Sequence, residues 1–231
     1  MNDFDNFAEA YVSQTEENPF NALYERPAIR GLLPSVKGLH VLDAGCSGGA
    51  HSQWLVEQGA RVTAMDTSAQ MVRLARERLG TRAHVLQKDL RSRLDFLEEG
   101  SVDVVFSSLT LHYLEHWEPT LREFHRLLVP SGLLVFSTHH PLADLHWVEG
   151  GSYFQTQPVE QLWSSFGESA RVRFYRRPLG AIFAALADTG FVVERLLEPR
   201  PVEALREREP ETHARLSREP WFLALQARRR P

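Results

Sequence analysis

Apolar and polar residues follow two periods along this chain, and the switches between them set out a series of strands and helices. Leu39, Val41 and Leu42 form a short apolar run that ends at Asp43. Gly45, Gly48 and Gly49 then open a helical stretch, Ala50 to Gln58, closed by Gly59 just past its end. Arg61 to Asp66 is a second strand. A helix follows over Ala69–Leu79, with Met71, Val72, Ala75 and Leu79 on its inner face and Gly80 as its stop. Ala83 to Asp89 is a third strand. Val102 to Ser107 is continuously apolar apart from Asp103, as in a strand buried on both faces of a parallel sheet. Pro119 starts a helix striped by Leu121, Phe124 and Leu128, Pro130-Ser-Gly132 is a turn, and Leu133–Thr138 is a fifth strand.

Regularity lapses between Leu142 and Arg177. Two stretches there, Gly151–Gln157 and Ala170–Tyr175, alternate like antiparallel strands in a segment rich in aromatics. Pro178 begins a helix with Leu179, Ile182, Phe183 and Leu186 on one face before Gly190. Phe191–Leu197 and Trp221–Ala227 are strands, joined by a charged helical segment, Val202 to Arg218, broken at Pro210. Ahead of the first strand, residues 1–38 carry spaced aromatics, and Asn21 to Leu33 has a helical pattern. That segment is expected to be a helical lid, with the rest of the chain, 39–231, forming one α/β domain.

The stretch from Leu39 to Gly49 is the strongest chemical signal. A strand, a glycine turn and a helix N-terminus together present free N–H groups and allow close backbone approach. A dinucleotide fingerprint, G-x-G-x-x-G, is not met: the pattern is Gly45-x-Ser47-x-x-Ala50, so a Cβ stands where a pyrophosphate would pass. Asp43, just before the turn, would repel a diphosphate and attract a cationic amino group. Both features disfavour a nicotinamide dehydrogenase and favour a zwitterionic, phosphate-free nucleoside. Asp66 lies 21 residues beyond Gly45, near the ~20-residue spacing of an acid that binds vicinal ribose hydroxyls.

Asp43-Ala-Gly-Cys-Ser-Gly-Gly49 resembles the first motif of the class I S-adenosylmethionine-dependent methyltransferases, with Ser47 replacing the middle glycine. The likeness extends over about residues 35–141, through Asp89-Leu90, Ser107-Ser-Leu-Thr-Leu-His-Tyr113 and Leu121 to Ser137. It implies a three-layer Rossmann-like sheet of order 3-2-1-4-5-7-6 whose last strand is antiparallel, with a β-rich insert at about 142–177 after the fifth strand. It implies S-adenosylmethionine as cofactor, held by Asp43, Gly45, Cys46, Ser47, Gly49, Asp66, Thr67, Met71, Asp89, Leu90, Ser107 and His112. The acceptor is then a hydroxyl, amine or other nucleophile of a small molecule, contacted by Tyr24, His140, Tyr153, Trp147 and Arg173. An adenosyl-binding partner subunit without turnover is the alternative.

His139 and His140 follow the fifth strand, where ligands sit in open α/β sheets, and are the candidates for a general base. Serines and histidines, not acids, follow the fourth and fifth strands, so no metal site is expected. Cys46 is the single cysteine, which excludes an internal disulfide. A net charge of −4 leaves no basic footprint for nucleic acid. With no apolar N-terminal leader and no run of membrane-spanning length, a cytoplasmic monomer or homodimer is expected.

Overall fold

A seven-stranded sheet carries the molecule. The computed structural model describes residues 4–147, 152–163 and 170–230. The strands are β1 (His40–Ala44), β2 (Arg61–Asp66), β3 (Ala83–Gln87), β4 (Val102–Ser107), β5 (Leu128–His139), β8 (Phe191–Leu197) and β9 (Phe222–Arg229), with β6 (Gln157–Trp163) and β7 (Ala170–Arg176) forming a separate hairpin. The sheet order is β3-β2-β1-β4-β5-β9-β8, with β9 antiparallel to both neighbours. Once the two hairpin strands are passed over, this is the expected order.

Alternation along the strands sorts their side chains into two cores. Val41, Val104, Phe106, Leu133 and Val135 pack with α2 (Arg26–Arg30), α3 (Ala50–Glu57) and α4 (Ala69–Leu79). Leu42, Val105, Leu134 and Phe136 pack on the opposite face with α5 (Glu118–Leu127) and α6 (Leu179–Asp188). A parallel strand covered on both faces is apolar along its length, which is the pattern of β4 from Val104 to Phe106. Two short helices, α7 (Glu203–Arg208) and α8 (Pro210–Leu216), bridge β8 to β9 and meet at Pro210 as expected. No helix among the described residues is long and apolar enough to cross a membrane.

Two sequence expectations are corrected, and one segment gains detail. The first insert strand is Gln157–Trp163: of the expected Gly151–Gln157, Gly151 lies outside the described residues, and Ser152–Thr156 instead supplies carbonyls that bind the buried Arg176 guanidinium, from Ser152 (2.6 Å) and Tyr153 (2.8 Å). Leu128 belongs to β5, paired with Val102, because α5 ends at Leu127. Within the N-terminal segment, ahead of the helical pattern at Asn21–Leu33, lies a further ten-residue helix, α1 (Ala8–Glu17). It is followed by a π-helical turn, Asn21–Glu25, running straight into α2. Tertiary contacts hold α1 in place. Asp5 accepts from the Ser68 hydroxyl (2.5 Å) and the Gln70 N–H (3.1 Å), and Glu9 pairs with Arg73 (2.6 Å), so the segment lies across the start of α4.

Candidate functional site

The strand sequence runs outward from β1 to β3 and then restarts at β4, so a crevice opens where the order reverses, at the C-terminal ends of β1 and β4. A cavity of about 280 Å³ occupies it. The glycine turn forms its floor. The N–H groups of Gly45 and Cys46 both donate to the Met65 carbonyl (2.9 Å each), and Ser47 donates its N–H to Asp66 Oδ2 (2.9 Å). Gly45 has φ +86°, and a Cβ there would lie 2.3 Å from Thr110 Oγ1. Ser47 itself takes a left-handed φ of +49°, a glycine-like conformation held by a serine. Gly48 lies under Val12 of α1, so closely that a Cβ would fall 2.6 Å from its side chain.

Acids line this floor. Asp43 is 2% exposed; burial, with Asp66 nearby, pushes its pKa up to about 7, against the pull of the Ser52 hydroxyl at 2.5 Å. Asp66 is raised by burial and pulled back by the N–H groups of Ser68, Ser47 and Thr67. It stands at the end of β2, and Ser68, two residues on, caps α4 by accepting from Met71 N. At the end of β3, Asp89 is engaged by Arg91, whose guanidinium holds the carboxyl below its usual range. Buried carboxylates of this kind suit a positively charged ligand, and the absence of a Cβ at Gly45 lets Thr110 pack directly against the turn.

The cavity brings together Asp43, Gly45, Cys46, Ser47, Asp66, Thr67, Met71, Asp89, Leu90 and Arg173 of the residues expected from sequence. Others sit elsewhere. Gly49 is the left-handed N-cap of α3, facing Ala75 and Leu79. Ser107 is buried and ties β4 to β1 by donating to the Ala44 carbonyl (2.8 Å). Tyr24 is buried, its hydroxyl accepting from Trp221 N (3.1 Å). Tyr153 uses its hydroxyl on Leu179 N (3.2 Å), away from the cavity. The side chain of Trp147 falls outside the described residues.

The histidines expected at the mouth are also outside the cavity. His140 accepts from Leu142 N at Nδ1 (3.2 Å) and so carries its proton on Nε2, which meets Glu198 (3.0 Å). Both ring nitrogens are therefore engaged. His139 stacks on His112 with ring centres 3.9 Å apart, and Phe174 packs edge-on against His139 at 4.7 Å. β7 is the cause: its alternation buries Val172 and Phe174, turns Phe174 as a cover over these rings, and leaves Arg173 and Tyr175 lining the cavity.

The far end of the cavity is lined by residues that the sequence reading missed, among them Thr15, Asn21, Glu25, Arg26, His51 and Ser108. One signal was available for His51: it lies on the first turn of the helix that follows the glycine turn. Glu25 had none, since only the packing of the π-helical turn carries it inward. Phe4, Tyr11 and Tyr113 complete the enclosure, and the Tyr11 ring stacks parallel to Trp163 of β6 at 6.3 Å.

Residues 42–136 match a family model described as a methyltransferase domain. The crystal structure of an S-adenosylmethionine-dependent methyltransferase from Mesorhizobium loti is 34% identical, with a TM-score of 0.77 over 89% of this chain and 97% of that one. An uncharacterized protein of Haemophilus influenzae is 30% identical over 98% of the chain and 96% of its own length. A malonyl-[acyl-carrier protein] O-methyltransferase of Pectobacterium atrosepticum is 35% identical over 115 residues, 49% of this chain and 42% of that enzyme. The chain thus spans less than half the length of that last relative.

Proposed function

Because the chain belongs to the class I S-adenosylmethionine-dependent methyltransferases, we propose that it moves the cofactor's methyl group to a hydroxyl, amine or other nucleophile of a small molecule held in the cavity at the ends of β1 and β4. The cavity at the glycine turn is the observation that carries this reading. Tyr11, Val12 and Thr15 of α1 and Arg173 and Tyr175 of β7 line it, which narrows the access of water to the reacting atoms. Bound there, S-adenosylmethionine supplies an electrophilic methyl on a sulfonium and leaves as a neutral thioether.

Asp66 spends one lone pair of each oxygen on the N–H groups of Ser47 and Ser68, and keeps others for the two ribose hydroxyls. Leu90 covers the base, and Asp89 accepts from its amino group beside Arg91. Asp43 places negative charge under the glycine turn, next to the positive centre. Phe4, Tyr11 and Tyr113 exclude water, which an in-line displacement needs as much as alignment. Cys46 contributes backbone only.

The test uses methyl-labelled cofactor and a cell extract separated by ultrafiltration. Label is expected in a small-molecule product that chromatography separates from the unspent cofactor and that does not form without the protein; label transferred only to protein or nucleic acid would refute the small-molecule reading.

A further inference from the structure

Two titratable side chains at the far end of the cavity have no place in the cofactor site just described. Glu25 is 2% exposed, and its Oε1 accepts from the hydroxyls of Ser108 (2.9 Å) and Ser137 (2.5 Å). Its Oε2 faces His51 Nε2 at 3.9 Å. His51 is fixed by its backbone in the first turn of α3 and by the Phe106 ring, 5.0 Å away centre to centre, and its Nδ1 is enclosed with no hydrogen-bond partner.

A separation of 3.9 Å is too long for a hydrogen bond, and it is the gap that a single oxygen or nitrogen spans when it sits about 2.8 Å from both atoms. We infer that, for a small-molecule acceptor, Glu25 and His51 bracket the nucleophilic atom, so that the acceptor is an alcohol, phenol or amine that brings a hydrogen on that atom. In the transfer, the acceptor's lone pair forms the bond to the methyl carbon as the carbon–sulfur pair returns to sulfur, and the acceptor's proton passes to Glu25 Oε2 while His51 Nε2–H donates to the acceptor atom. Burial, with Arg30 and Arg26 nearby, keeps the His51 ring neutral, and the same burial raises the Glu25 carboxyl, which strengthens it as the proton acceptor. Ser108 and Ser137 hold the carboxylate in register from the ends of β4 and β5, which explains why two serine hydroxyls converge on one buried oxygen.

The test begins with calorimetry of S-adenosylhomocysteine on the wild type, Glu25→Gln and His51→Gln. Glutamine retains an oxygen for both serines, so the fold is expected to persist, which thermal melting checks. Affinity should stay within threefold. A tenfold or greater loss would assign the pair to the cofactor's ammonium group and overturn the inference, whereas failure of the wild type to bind would count against the cofactor site instead. Ethanolamine and phenol are then titrated onto the S-adenosylhomocysteine complex of protein carrying ¹⁵N-labelled histidine, with the His51 resonance assigned through His51→Gln. At least one probe should move the His51 Nε2 signal, with a dissociation constant at least tenfold weaker in Glu25→Gln. A His51 signal indifferent to both probes, or an unchanged response in Glu25→Gln, overturns the assignment.

Discussion

Asp43 shows how one residue exchanges stability for binding. Its carboxyl has an ordinary value of 3.8 and rises to about 7 in the folded chain, chiefly through burial. The native state therefore holds this proton more tightly than the unfolded one. The stabilisation is fully present below the unfolded value and is lost as pH rises from about 4 to 7. Asp43→Asn removes the titration, so its stability relative to wild type should climb between pH 5 and 8, by on the order of 2–4 kcal/mol. Urea unfolding of both proteins at the two pH values measures it, and a pH-independent difference would contradict the burial account. Cys46 gives the opposite test. Its thiol is buried and pushed well above the ordinary range by burial and by Asp43 and Asp66, so it is no nucleophile. Cys46→Ala should keep S-adenosylhomocysteine affinity within about tenfold and retain methyl transfer; loss of transfer with binding intact would give the thiol a role. Asp66→Ala, by contrast, should weaken that affinity by about 1.5–3 kcal/mol, the range for hydrogen bonds to a charged group, and an unaltered isotherm would remove Asp66 from the ribose site.

At the scale of the element, the β1–turn–α3 unit depends on backbone shape more than on side-chain chemistry. Gly45 combines φ +86° with Thr110 packed where a Cβ would go. Gly45→Ala should cost at least about 1–2 kcal/mol of stability and abolish tight cofactor binding. Gly180 in α6 is the control, because a Cβ there meets nothing within 4 Å. Gly180→Ala should raise stability by about 0.5–1 kcal/mol, since alanine loses less entropy in a helix. Thermal melts of both variants check the pair, and equal effects would mean that the turn is not tightly packed. The strand–turn–helix unit was legible from Asp43 to Gly59 because its restraints are local: a glycine for each left-handed position, except at Ser47, and an apolar stripe on each side. The insert was less legible. The alternation over Ser152–Thr156 marks a segment that turns around Arg176, and a period of two cannot distinguish a strand from a loop whose carbonyls converge on a buried cation.

Over the whole molecule, closure of the site depends on segments far apart in sequence. α1 crosses the glycine turn and meets β6, with Tyr11 and Trp163 stacked. Trp163→Ala should lower S-adenosylhomocysteine affinity by about 0.5–1.5 kcal/mol, the scale of an aromatic pair, chiefly through faster release. Stopped-flow displacement reads the rate, and an unaltered rate would show that the hairpin and the N-terminal helix do not hold the site shut together. Neither segment lies within residues 42–136, the part that matches the methyltransferase family model.

Sequence alone determined the sheet and the glycine turn at its end. Buried parallel strands must be apolar throughout, helices between them carry one apolar stripe, and a turn that admits a nucleoside needs glycines at fixed spacing. Each restraint lies within a few residues of the position it governs, so it is written locally. Tertiary structure alone decided the far end of the cavity. Glu25 reaches the cavity through a π-helical turn and is held by hydroxyls 83 and 112 residues away. His139 and His140 lose the site because β7 lays Phe174 over one and Glu198 engages the other. These outcomes turn on which distant side chain arrives to cover or to hydrogen-bond a group, and no period or spacing along the chain encodes that.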